Sequence, residues 1–209
     1  MIRLPATLLL IFLFSFSLAA SAKITPSERI KETVDQVLTV LQDDSLGSQD
    51  RRDKVKQIVR KRFDYESMSQ VILGKNWRKA TEPQRQQFIT LFRELLEQTY
   101  YSAVDSYNNQ SVRMGLERVK QKRANVQTFI VAANKELAVS YKMRYRNNDW
   151  YAYDVAVEGV SLVSNYRTSF NNLVREKGME GLLTELAEKV ARLQSKNKNI
   201  EQAPPAKVN

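Results

Sequence analysis

The chain contains no cysteine and no histidine in 209 residues. These two absences together exclude a disulfide framework, a thiolate nucleophile, a zinc site built from Cys and His, and a Ser-His-Asp triad. Glycine is scarce, at six residues, and no Gly-rich phosphate loop can be read from it. An enzyme would have to work with carboxylates, Lys, Tyr or Ser alone. Asp64 and Glu66 lie two apart, and Asp149, Asp154 and Glu158 follow on a strand-like stretch, but none of these spacings specifies general acid/base work. They read as solvated or capping carboxylates. No catalytic residue, metal ligand or cofactor is therefore expected.

What is present begins with a targeting signal. Arg3 leads into an apolar run from Leu8 to Leu18, followed by the small residues Ala20-Ser21-Ala22, which is the pattern of a cleavable secretory signal peptide over residues 1–22. The apolar run is too short for a membrane span, which needs roughly twenty helical residues. Cleavage after Ala22 leaves 209 − 22 = 187 residues, one ordinary domain. Losing Arg3 changes the formal charge from 33 − 23 = +10 to 32 − 23 = +9, so the exported chain stays strongly basic. Such a balance favours anionic partners, such as phospholipid head groups or membrane surfaces. Export makes nucleic acid the least suitable of them.

Helix signals dominate the first half. Thr25-Pro26-Ser27-Glu28 supplies an N-cap, a Pro at the first helical position and a Glu placed to close a capping box. Ile30, Val34, Val37, Leu38 and Leu41 then recur at three and four to about Asp43. A second helix from about Gln49 carries Val55, Ile58, Val59 and Phe63 under a charged surface. A third runs from Asp64 to Leu73 and stops at Gly74, the expected C′ residue. Thr81-Glu82-Pro83-Gln84 repeats the start signal and opens the longest periodic segment, expected to reach Asn108, with Arg93 and Glu97 turned to solvent. Its stripe of Phe88, Leu91, Phe92, Leu95, Leu96, Tyr100, Val104 and Tyr107 is wide enough to serve as core or as the wall of an apolar cavity.

From Ser111 the period changes to two. Four strands are expected: Val112 to Gln121, Asn125 to Ala133, Glu136 to Arg146, and Trp150 to Val157, with a brief continuation over 160–163. Asn134-Lys135 and Asn147-Asn148-Asp149 suit connecting turns, so at least the last three strands should form an antiparallel meander. Leu137, Val139, Tyr141, Met143 and Tyr145 alternate with Lys142, Arg144 and Arg146, giving one apolar and one basic side. A helix should start at Ser164 or Asn165, a last one should follow Gly178, and residues 195–209 read as a disordered tail. The sum is an α+β domain over residues 23–194, a twisted antiparallel sheet of four to five strands with helices over one face.

Three stretches carry a further resemblance. They are Phe63-Asp64-Tyr65 with Met68-Ser69 and Val71-Ile72-Leu73-Gly74, then Trp77 with Ala80-Thr81, Gln84-Arg85 and Phe88 through Tyr100, and finally Trp150-Tyr151-Ala152-Tyr153-Asp154-Val155 with Glu158-Gly159-Val160-Ser161-Leu162. In this order and spacing the chain resembles the MlaC or toluene-tolerance family, from roughly Ile24 to Leu193. The resemblance implies a soluble, monomeric periplasmic carrier of phospholipid, moving lipid between an outer-membrane lipoprotein complex and an inner-membrane ABC transporter complex and so maintaining outer-membrane asymmetry. It implies cargo and no cofactor, with acyl chains held between sheet and helices.

Lipid-contacting residues follow from the apolar faces: Met68, Val71, Phe92, Leu96, Tyr100, Val104, Met143, Tyr145, Val155, Val157, Leu162, Tyr166 and Phe170. Cores and pockets share these residue types, so about half of this set is expected to be plain core. A binding module for an anionic polymer or partner protein is the alternative reading, permitted by the basic sheet side and the aromatic content. The interspersed acids argue against a surface of single sign. A hydrolase with a carboxylate or Ser-Lys site finds no supporting spacing.

Overall fold

A computed structural model describes residues 23–132 and 135–202. The expected signal segment over 1–22, the turn residue Asn134 and the end over 203–209 lie outside the described residues. In chain order the elements are α1 (Pro26–Leu41), α2 (Ser48–Arg60), α3 (Tyr65–Leu73), α4 (Lys75–Lys79) and α5 (Glu82–Thr99), then β1 (Ser111–Lys120), β2 (Arg123–Ala132), β3 (Lys135–Arg146), β4 (Asp149–Val157), β5 (Val160–Ser161) and α6 (Leu162–Gln202).

The caps act as the residues dictate. Thr25 Oγ1 accepts the N–H of Glu28, and Glu28 Oε2 accepts the N–H of Thr25 at 2.7 Å. The backbone bond at Thr25, followed by its hydroxyl, holds the Glu28 carboxyl below its ordinary range. Thr81 and Gln84 make the same reciprocal arrangement at the start of α5. Asp64 caps α3 by accepting the N–H of Ser67 at 3.0 Å. Gly74 ends that helix at φ +54°, ψ −118°, a backbone that a side chain would strain, and the five-residue α4 follows at once. α4 was not foreseen, because five residues are too few to show a period.

All five strands pair in sequence order, antiparallel throughout. Register shifts interrupt β1–β2 between Met114 and Glu117, and β3–β4 between Lys142 and Met143. Phe63 adds an isolated parallel bridge to Ala152, with Asp64 N–H donating to the Ala152 carbonyl at 2.8 Å. That bridge seats α3 beside β4. Ile30 of α1 packs with Ala124, Val126, Met143 and Trp150, so α1 covers the inner face of the sheet. The larger core joins α3, α5 and α6 through Met68, Ile72, Phe88, Phe92, Leu95, Phe170, Leu182 and Leu186. Phe88 and Phe92 each meet the Phe170 ring edge-on, at 5.7 and 6.3 Å between centroids.

Three boundary expectations need correction. α5 stops at Thr99, not Asn108, because Tyr100 leaves helical geometry (φ −102°, ψ 14°) and only a short 3-10 turn over Tyr101–Ala103 follows. α6 begins at Leu162, before Ser164, because buried Asp154 accepts the N–H of Val163 at 3.1 Å and Ser161 Oγ at 2.7 Å. α6 also continues to Gln202, so the tail does not begin at Ser195. The anchor is Asn197, buried, whose side chain donates to the Gln98 carbonyl at 2.9 Å and to Gln98 Oε1 at 2.8 Å. The break expected at Gly178 is present, as non-helical backbone (φ 71°, ψ −176°) that divides α6 in two.

Candidate functional site

A cavity of about 800 Å³ lies between α1, α2, the end of α5 and the inner face of the sheet. The three-and-four spacing on α1 aims Ile30, Val34, Val37, Leu38 and Leu41 into it, and α2 adds Val55 and Val59. The sheet contributes Val112, Ile130, Tyr141, Val155 and Val157. Register explains why these converge: Val112 faces Ile130, while Val126, Tyr141 and Val155 stand in one row across three strands. At about 30 Å³ of liquid per molecule the space equals roughly two dozen waters, yet an ordered water needs two to four polar partners. A wall built mostly of Val, Leu, Ile and Tyr does not supply them. The volume falls in the upper part of the roughly 300–1,000 Å³ seen for small-molecule sites.

The charged groups in the wall are held in pairs. Arg60 grips Glu97 with two bonds, of 2.5 and 2.7 Å. Arg52 donates to both oxygens of Asp105, Lys56 reaches Asp53 at 2.8 Å, and Arg62 reaches Asp149 at 2.8 Å. Glu97 is a correction: its side chain is only 10% exposed and lines the cavity, where solvent was expected, and Arg93 is half-buried. The reason is that α5 presents three successive residue directions here, Leu96, Glu97 and Tyr100, to a cavity wider than one helical stripe. Burial pushes the neighbouring Tyr65 hydroxyl up to about 12, with the Glu97 charge adding to the shift. Burial likewise raises Tyr141. Both phenols are neutral at physiological pH.

Of the residues expected at the site, Met68, Leu96, Tyr100, Val104, Val155, Val157 and Leu162 line the cavity together. The others are elsewhere. Phe92 and Phe170 are buried in the helical core with Tyr166 packed on it, Met143 is buried under α1, and Tyr145 packs against Trp150 with ring centroids 5.2 Å apart and planes tilted by 59°. Val71 points to the surface. Sequence reasoning missed the α1 and α2 wall, although the periodicity of both helices was read. The signal was there in Val37, Leu38 and Leu41, apolar residues near a helix end that the two cores leave partly exposed.

The carboxylates without a catalytic spacing have structural partners. Asp64 and Asp154 are buried caps, where solvated side chains were one expectation. Asp149 joins Arg29 of α1 to Arg62, and Glu158 accepts the N–H of Ala138. Among the described residues no group of three or more Asp or Glu is placed to hold a metal ion, and no helix is long and apolar enough to cross a membrane.

Fold and cavity together define a single α+β domain built around a binding site for a long apolar ligand. The family model for the MlaC protein matches residues 31–188, and the chain belongs to that family. It is 22% identical over 183 residues to the intermembrane phospholipid transport system binding protein MlaC of Haemophilus influenzae, covering 83% of this chain and 86% of that protein. It is 26% identical over 177 residues to the toluene tolerance protein ttg2D of Pseudomonas putida, covering 81% and 82%. A solved phospholipid-binding protein from Ralstonia solanacearum, in complex with a phospholipid, superimposes with a TM-score of 0.75 at 26% identity, over 82% of this chain and 99% of that one.

Proposed function

We propose that this protein is a periplasmic phospholipid carrier that holds acyl chains in the cavity between α1, α2, α5 and the sheet. The observation that carries the reading is an apolar cavity of about 800 Å³ in a chain of the MlaC family. The phospholipid in the complex of the Ralstonia relative supports the choice of ligand. The lipid is cargo. No chemistry on it is called for, because Glu97, the acid that lines the cavity among the described residues, is paired with Arg60. The protein works without a cofactor and as a monomer.

Energetics shape how such a carrier operates. At about 0.8 kcal/mol per CH₂, two chains of roughly sixteen carbons cost on the order of 25 kcal/mol to expose to water. As a barrier that corresponds to about 10⁻⁶ per second. Spontaneous release is therefore too slow, whereas transfer from one apolar site to another is nearly neutral. Handover belongs to a docked state with membrane complexes, an outer-membrane lipoprotein complex on one side and an inner-membrane transporter on the other, and the partners set its direction. Delipidated protein incubated with phospholipid vesicles should gain lipid and rise in thermal midpoint, since a ligand binding only the native state stabilises it by mass action. An unchanged midpoint with no lipid gained would reject the carrier reading.

A further inference from the structure

The outer face of the sheet carries like charges in direct opposition. In the β1–β2 register Lys120 stands opposite Arg123, and in the β2–β3 register Arg123 stands opposite Arg144. Partners in antiparallel register share a face, so the three cations form one row across three strands. The next row on that face holds Arg118, Asn125 and Lys142. Like charges directly opposite destabilise a sheet.

The available acids do not relieve this row where it is densest. Lys142 pairs with Asp154, Arg144 bonds Ser67 Oγ near Asp64, and Arg146 pairs with Asp64. Arg118, Lys120, Lys122 and Arg123 have no carboxylate within 4 Å among the described residues. Glu117, the acid on this hairpin, is turned inward to accept the N–H of Ser27. The strand residues from Leu116 to Arg123 are all exposed, and among them are two large apolar side chains, Leu116 at 66% and Val119 at 50%. The cavity draws instead on Val112 and Ile130, at the opposite end of the same two strands.

We propose that the projecting end of the β1–β2 hairpin, residues 116–123, is a docking surface for a bilayer rich in anionic phospholipid. The cations stand in rows across three strands, so the surface matches a field of negative charge. At the same hairpin end Leu116 is exposed, and Val119, opposite Ala124 and so on the other side of the strand from the cation row, is exposed as well; together they add the apolar component that binding at a head-group layer uses and a purely polyanionic partner would not. Each cation near an anionic leaflet contributes about five-fold to partition. An anionic leaflet also offsets the repulsion between Lys120, Arg123 and Arg144. Docking by this end leaves the cavity-lining residues uncovered. The inference is independent of what the cavity holds.

The test is co-sedimentation of the full chain with vesicles of phosphatidylcholine alone or mixed with phosphatidylglycerol. The double variant Lys120→Glu/Arg123→Glu is compared with Lys75→Glu/Arg175→Glu, which makes the same charge change at exposed residues of α4 and α6. Lipid extracted from each protein reports the cavity separately. The parent should bind the mixed vesicles at least ten-fold more tightly than the neutral ones at about 0.1 M salt, and lose that preference at about 1 M, where the screening length falls to about 3 Å. Lys120→Glu/Arg123→Glu should bind at least ten-fold more weakly with its extracted lipid unchanged, and Lys75→Glu/Arg175→Glu should stay close to the parent. Equal losses in the two variants would reduce the effect to net charge and overturn the assignment. So would a parent that ignores the mixed vesicles, including one that binds an acidic protein instead.

Discussion

The backbone N–H of Tyr100 donates to the carbonyl of Leu96 at 3.0 Å, and with that bond the α5 helix ends. Leu96 is buried and Tyr100 is half-exposed, yet both line the cavity. The helix therefore stops at the cavity wall, and the chain continues along it through the 3-10 turn ending at Ala103 and then Val104 and Tyr107.

A carboxylate at Leu96 would face acyl chain, where an unpaired charge costs several kcal/mol. Leu96→Asp is expected to remove most of the extracted phospholipid, while Thr90→Asp, on the exposed side of the same helix, leaves it at the parental level. Lipid phosphate per mole of protein measures both, on variants whose far-UV circular dichroism shows the folded domain. Full lipid retention by folded Leu96→Asp would place the ligand elsewhere.

The Arg60–Glu97 pair ties α2 to α5 across the cavity. Arg60→Ala leaves a carboxylate that is 10% exposed with only the longer contact to Arg93 at 3.9 Å and is expected to cost about 1–3 kcal/mol. Arg60→Leu/Glu97→Leu should cost less than Arg60→Ala, because the most buried charge is then absent and the Arg93 left behind is 34% exposed to water. Urea unfolding of the parent, the single variant and the double variant decides the order.

Asp149 gives an acid-sensitive link between α1 and the sheet. Burial raises its pKa, but the Trp150 N–H and the Arg62 and Arg29 guanidinium groups outweigh it, so the carboxyl sits below its ordinary value of 3.8. A depressed folded-state pKa contributes stability that is present above the ordinary value and lost as pH falls through the folded one. Asp149→Asn should therefore lower the thermal midpoint at neutral pH and lose this difference from the parent below about pH 4. A difference that stays constant down to the acid limit would exclude the link.

Asn197 tests the helical extension of α6. Asn197→Ala removes its bonds to the Gln98 carbonyl and side chain and is expected to cost about 1 kcal/mol. Amide exchange should rise over 195–202 first. Unchanged stability and exchange would mean that the end of α6 is not held by α5.

Local chemistry was the most legible part of the chain. Thr25 with Glu28, Thr81 with Gln84, and Gly74 mark helix ends because capping is settled within four residues. The strand period likewise shows in residues such as Val126, Thr128 and Met143, which alternate between buried and open neighbours. The cavity was legible only in part. An apolar stripe has the same period whether it meets a core or a hollow, so Phe92 and Phe170 could not be told from Leu96 and Val104. The end of α5 was hidden for a related reason, since Val104 and Tyr107 still line the cavity after the helix has stopped. The reach of α6 depends on Asn197 finding Gln98, a contact across 99 positions that no local pattern carries.

The central claim is that the cavity holds phospholipid, and the direct measurement is mass spectrometry of lipid extracted from protein purified from its own cells without added lipid. The account predicts diacyl phospholipid in near-stoichiometric amount, lost together with a fall in thermal midpoint when the protein is delipidated. A protein that emerges lipid-free, and whose midpoint does not move when phospholipid is supplied, would contradict it.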